Sequence, residues 1–146
     1  MKYARVACLA VLVATAFAWV AAAEEAAPAE PASKWLTSFD QAKAEAAKAG
    51  KPILADFTGS DWCGWCIRLK KEVFDTKEFK EWAAANVVLL EVDFPMKKKQ
   101  DEATKAANRA LAEKYGIQGY PTIIFMDAKG NSLGQSGYMR GGPKAV

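Results

Sequence analysis

Apolar and polar positions fall into blocks along this chain, and the spacing of the blocks predicts strands alternating with helices. Ile53, Leu54, Ala55 and Phe57 form a short run apolar on both faces, interrupted only by Asp56, which suits a central strand covered by helices on both sides. Val87 to Val92, closed by Asp93, is a second strand-length run, and Ile123 to Met126 is a third. The turn-rich stretch Asp127-Ala128-Lys129-Gly130-Asn131 then predicts a hairpin to a short fourth strand over Ser132 to Gln135. Helical spacing fills the intervals. Ser38 and Gln41 have the form of a capping box, Ala42, Ala46 and Ala47 give Phe39 a face to share, and Gly50 and Pro52 stop that helix. Ile67, Leu69, Val73 and Phe74 continue a helix from Cys66, and Thr76 to Ala85 is a further helix with Asp75 as its expected cap. After Phe94-Pro95 and the cationic run Lys97 to Lys99, the residues Ala103, Ala106, Ala107, Ala110 and Leu111 mark one face of a helix ending near Tyr115. The pattern predicts an α/β domain with a terminal hairpin.

The two ends have a different character. Lys2 and Arg5 precede an apolar run from Val6 to Ala23, with Ala21 and Ala23 in a small-x-small arrangement before Glu24 and Glu25. This predicts a secretory signal peptide over residues 1–23, with a retained membrane anchor as the competing reading. Residues 24–33 are mostly Ala, Glu and Pro and are expected to form a flexible linker. The folded domain is therefore assigned to residues 34–146. At its far end Gly141-Gly142-Pro143 looks like the approach to a helix, yet the sequence stops at Val146. The expectation is a domain truncated there, its last helix missing; a relative carrying ten or so further amphipathic residues would support this.

Composition narrows the function. The 146 residues suffice for one domain with a real core. Without residues 1–23 the chain keeps 18 cations and 17 anions, a net charge of +1 that implies no polyanionic partner such as a nucleic acid. There is no histidine, and of three cysteines Cys8 falls inside the signal. Four-cysteine or two-cysteine, two-histidine zinc sites cannot be built from one copy, and a cysteine–histidine hydrolase is excluded.

What remains is Cys63 and Cys66, two residues apart in Asp61-Trp62-Cys63-Gly64-Trp65-Cys66. A strand running through a short loop into a helix would set Cys63 at a helix N-terminus, where free N–H groups and the macrodipole favour a thiolate. Cys63 is then the nucleophile attacking a disulfide, and Cys66 resolves the mixed disulfide. The chemistry needs an exposed attacking sulfur. A purely structural disulfide is the competing reading, although so small a loop constrains little chain entropy. Asp56, a carboxylate amid apolar neighbours, is a candidate proton acceptor for Cys66, or else a strand-end acid in a solvated crevice. Asp61 is expected to be a turn or capping residue, Trp62 a core residue, and Trp65 a substrate contact. Lys97 to Lys99 form a solvated face or, less simply, a docking patch.

The strand carrying Asp56, the Trp62-Cys63-Gly64-Trp65-Cys66 motif and Tyr120-Pro121-Thr122 before a strand together resemble the thioredoxin superfamily, particularly its exported members, over roughly Trp35 to Gly142. The resemblance implies a thioredoxin-like fold, a central mixed sheet flanked by helices, with a cis Pro121 facing the cysteines. It implies dithiol/disulfide exchange with protein thiols or disulfides, no bound cofactor, and a redox partner that regenerates the pair. In this reading the backbone of Tyr120 pairs with extended substrate, and the protein works in the periplasm or outside the cell. Two departures bear on the chemistry. Gly64-Trp65 replaces the Gly-Pro of thioredoxins proper, and the interval from Asp56 to Cys63 is one residue longer, which leaves the position of Asp56 open. The thioredoxin likeness favours a reductase; the competing readings are an isomerase or oxidase of the same fold and a redox-inert binding module.

Overall fold

The computed structural model describes residues 34–139. The expected signal peptide, the linker and the approach to a last helix lie outside the described residues, and among those described no helix is long and apolar enough to cross a membrane. Four strands form one mixed sheet: β1 (Ile53–Thr58), β2 (Val88–Asp93), β3 (Thr122–Met126) and β4 (Ser132–Gly137). Their order is β2-β1-β3-β4, with β1 parallel to β2 and the other pairings antiparallel. The expected mixed sheet is thus present, with the doubly apolar run at its interior and every residue of β1 buried.

Strand alternation in β1 divides the core. Ile53, Ala55 and Phe57 face α1 (Phe39–Ala49) and α4 (Glu102–Lys114), packing with Ala42, Ala46, Leu111, Leu90 and Ile124. Leu54 points to the other side, against α2 (Gly64–Leu69) and α3 (Lys77–Asn86), among Leu69, Val73, Phe74, Phe79 and Ile123. Asp56 and Thr58 follow Leu54 in that alternation, so one polar file of β1 lies under the helix that carries the cysteines.

Local signals explain most boundaries. The Ser38 hydroxyl accepts from the Gln41 amide at 3.4 Å, and Gly50 at φ 64° turns the chain out of α1 as its left-handed cap. The hairpin turn is held by Asp127, whose carboxylate accepts from the amides of Lys129 and Asn131 at 2.8 Å.

Three expectations are corrected. Thr76, not Asp75, caps α3: its hydroxyl accepts from the Phe79 amide at 3.2 Å, while Asp75 closes the preceding segment. That segment does not continue as a plain α-helix. Over Lys70–Phe74 it widens into a π-helical turn, with the Asp75 amide donating to the Lys70 carbonyl five residues back, and Leu69, Val73 and Phe74 all reach the core. Finally, α4 does not bury its alanine stripe. Leu111 and Asn108 face inward, because the Asn108 amide reaches the Asp93 carbonyl at 2.8 Å and Leu111 brings more apolar area than alanine. Ala103, Ala107 and Ala110 line a shallow groove against Phe39 instead.

Candidate active site

The loop leaving β1 turns on Gly59, whose carbonyl accepts from the Cys63 amide at 2.9 Å. Cys63 is the N-cap of α2, and its Sγ accepts from the Cys66 amide at 3.2 Å. The sulfurs of Cys63 and Cys66 are joined in a disulfide, with Cα atoms 5.2 Å apart. The N-cap position predicted from the strand-loop-helix pattern is therefore occupied by the Cys63 sulfur. The expectation of an openly exposed sulfur is corrected, however: Cys63 is only 6% exposed and Cys66 4%. In the oxidised pair each sulfur is turned toward the other, and little of either cysteine meets solvent.

Asp56 lies behind the pair. It is buried, its Oδ1 lacks a hydrogen-bond partner, and it lines a crevice of about 190 Å³ with Cys66, Thr58, Ser60, Lys70 and Glu91. Burial, reinforced by the negative charges of Glu91 and Asp93, pushes its pKa up to about 8. Despite the longer loop to Cys63, it thus faces the same crevice as Cys66 rather than a solvated strand end.

The remaining predicted residues divide. Tyr120–Pro121 is joined by a cis peptide bond. Trp65 is half exposed, with the Tyr138 ring tilted against it at 5.1 Å between ring centres and the Arg68 guanidinium 5.4 Å from its own. Trp62, expected in the core, is 42% exposed. Its Nε1–H donates to the Phe94 carbonyl at 2.8 Å and its ring meets Tyr120 edge-on at 5.9 Å, so a polar tether holds it at the rim of the site.

Asp61, expected to hold a turn or cap of its own, holds a distant segment instead. Its carboxylate accepts from the backbone amides of Met96, Lys97 and Lys98 at 2.7–2.9 Å, which hold its pKa below the ordinary range. Ser60 binds the Asp93 carboxylate through its amide and hydroxyl at 2.9 and 2.6 Å. Each of residues 60, 61 and 62 is therefore fastened to the segment 93–98. Asp61→Ala is expected to release that segment, speeding amide exchange at Met96, Lys97 and Lys98 by roughly tenfold or more. Unchanged exchange would show that other contacts hold it.

A family model described as a thioredoxin-like domain matches residues 39–142. The chain belongs to the thioredoxin-like family. This thioredoxin-like chain is 35% identical over 122 residues to the disulfide bond reductase DsbH of Chlamydia pneumoniae, a match covering 84% of the chain and 74% of that protein. It is 36% identical over 98 residues to the thiol:disulfide interchange protein DsbD of Cronobacter sakazakii, covering 67% of the chain but 15% of that much longer protein. A solved DsbH oxidoreductase superposes with a TM-score of 0.72 at 38% identity, covering 77% of each chain. With that kinship and its paired cysteines, the thioredoxin-like chain is a thiol:disulfide oxidoreductase acting through Cys63 and Cys66.

Sequence reasoning missed Glu91. It carries the same signal that singled out Asp56, a carboxylate within an apolar strand, and it pairs in register with Asp56 across the β1–β2 ladder.

Proposed function

We propose that this protein is exported and works as a reductase of protein disulfides, with Cys63 as nucleophile and Cys66 as resolving thiol. The observation that carries the nucleophile's assignment is the Cys63 Sγ at the N-cap of α2, accepting the Cys66 amide at 3.2 Å. A thiolate at that atom gains from the same N–H and from the helix-end dipole, with no histidine required. The signal-like residues 1–23 support export, and the 35% identity to a disulfide bond reductase supports the direction.

In the proposed cycle the Cys63 thiolate attacks a substrate disulfide, breaking that S–S bond and forming a Cys63–substrate disulfide. The other substrate sulfur leaves as a thiolate and is protonated by water. Cys66 gives its proton to Asp56 and attacks the Cys63 sulfur, releasing the second substrate thiolate and closing the Cys63–Cys66 bond. Two electrons have passed to the substrate. A donor thiol from a redox partner reopens the pair by attack at Cys63, and Cys66 departs as a thiolate that takes the proton back from Asp56. At neutral pH Asp56 in the oxidised protein holds a proton for this purpose, since its pKa is pushed up to about 8.

Substrate contact is assigned to Trp65, Tyr120 and Pro121. Trp65 offers an exposed ring beside the pair, and Tyr120 is supported by Trp62 and by Phe94 at 5.2 Å between ring centres. The backbone pairing assigned to Tyr120 is carried by the family resemblance and by edge-strand recognition in general.

Equilibration of the Cys63/Cys66 couple with glutathione tests the direction. A reductase is expected to lie near the thioredoxin value of about −270 mV, and every 30 mV or so is a tenfold change in the exchange constant. A potential near about −120 mV would make the protein an oxidant and overturn the proposal.

A further inference from the structure

The crevice behind the disulfide contains two carboxyls, and the cycle above uses only one. Asp56 on β1 and Glu91 on β2 are direct partners in a parallel ladder, so their side chains leave the sheet on the same face, toward α2. Asp56 is buried and Glu91 half-buried, so the crevice runs from a closed acid beside Cys66 to one within reach of water.

We propose that Glu91 is a positioning residue of the exchange reaction: its charge, beside Asp56 in the same crevice, sets the pH at which Asp56 can take the proton of Cys66. The proposal rests on the assignment of Asp56 as proton acceptor. The surroundings favour such a pair. Asp93, the other carboxylate on β2, is taken up by the amide and hydroxyl of Ser60. Lys70, from the turn after α2, lines the crevice but forms an ion pair with Asp75. Lys98, from the segment after β2, donates to the Ser60 hydroxyl at 3.1 Å. Both cations are thus already engaged, and two adjacent carboxyls with little compensation do not both ionise at neutral pH. Burial first, then Asp93, raises the pKa of Glu91, against the opposing pull of Lys98 and Lys70. Proton balance is simple: the proton leaving Cys66 Sγ goes to Asp56 and stays there, while the electron pair on Cys66 forms the new bond to Cys63 and the Cys63–substrate bond breaks, its sulfur leaving as a thiolate.

The test is the rate at which the reduced full-length protein resolves its mixed disulfide with glutathione, followed from pH 5.5 to 9.5. Wild type is expected to accelerate as Asp56 ionises. Glu91→Gln removes the neighbouring anion, so the rising limb should move toward acid by about one pH unit, with the plateau held within about twofold. Carbon-13 titration of the Asp56 carboxyl in the oxidised protein should show the same acid shift, which a merely structural role for Glu91 would not produce. If Glu91→Gln superimposes on wild type while Asp56→Asn loses the limb, the pair is refuted and the Asp56 assignment stands. If Asp56→Asn retains the wild-type limb, both fall together.

Discussion

Cys66→Ser is expected to turn the protein into a trap. The Cys63 sulfur, the proposed nucleophile at the N-cap of α2, stays in place, and its backbone donor, the amide of residue 66, is unaffected by the substitution. What disappears is the second thiol held next to the mixed disulfide, which in the wild type competes with solvent thiols from a fixed position. Such positioning is worth orders of magnitude in effective concentration, so the lifetime of Cys63–substrate adducts should lengthen by roughly a thousandfold or more. Non-reducing electrophoresis and mass spectrometry of adducts captured in extract would measure it, with every adduct mapped to Cys63. Cys63→Ser should capture nothing comparable and should lose exchange altogether. If Cys63→Ser were the variant that accumulates adducts, the two sulfurs would have to exchange roles.

The sheet and the reactive pair were legible because their signals are local. The both-face apolar run Ile53 to Phe57 could only sit inside a sheet, and it is β1, flanked on both sides. The cysteines needed only a helix start two residues apart, and Ser38 needed only an amide three residues on. Errors arose where local signals compete or distant residues decide. Asp75 and Thr76 are both good caps, and the β-region backbone of Thr76 at φ −71°, ψ 148° settles which one serves. Of the face predicted for α4, Leu111 is buried but the alanines are not, and Asn108 turns inward beside it because its amide finds the Asp93 carbonyl 15 residues away. Trp62 is apolar in composition, but its indole N–H finds the Phe94 carbonyl 32 residues on, and that contact keeps it at the surface. Asp61 holds amides 35 to 37 residues downstream, which no periodicity records. The cis bond before Pro121 came from family likeness, since the dipeptide alone favours trans.

Asp56→Asn should separate stability from activity. The carboxyl has an ordinary value of 3.8 and is pushed up to about 8 in the folded protein, first by burial and then by Glu91 and Asp93. Folding therefore favours its neutral form. That contribution is fully present below pH 3.8, is eroded as the pH rises from there, and is lost by the time the pH passes about 8, because the unfolded chain releases the proton readily and the folded one does not. Asparagine has nothing to ionise and approximates the protonated side chain in shape, so the variant escapes the erosion. Each unit of separation is worth about 1.4 kcal/mol, so at pH 9 the roughly four units between 3.8 and about 8 make the oxidised variant more stable than the oxidised wild type by on the order of 6 kcal/mol, with the difference shrinking toward zero near pH 4. Urea unfolding at several pH values would trace it. Above the pH at which Asp56 ionises, the variant should resolve mixed disulfides about a hundredfold more slowly than wild type, since a positioned proton acceptor contributes at least that much, and the two rates should converge toward acid pH. The residue that supports turnover is thus expected to weaken the fold as pH rises. Parallel stability curves for the two proteins would mean that the carboxyl behind Cys66 is solvated and carries no stored proton, leaving Cys66 to discharge directly to water.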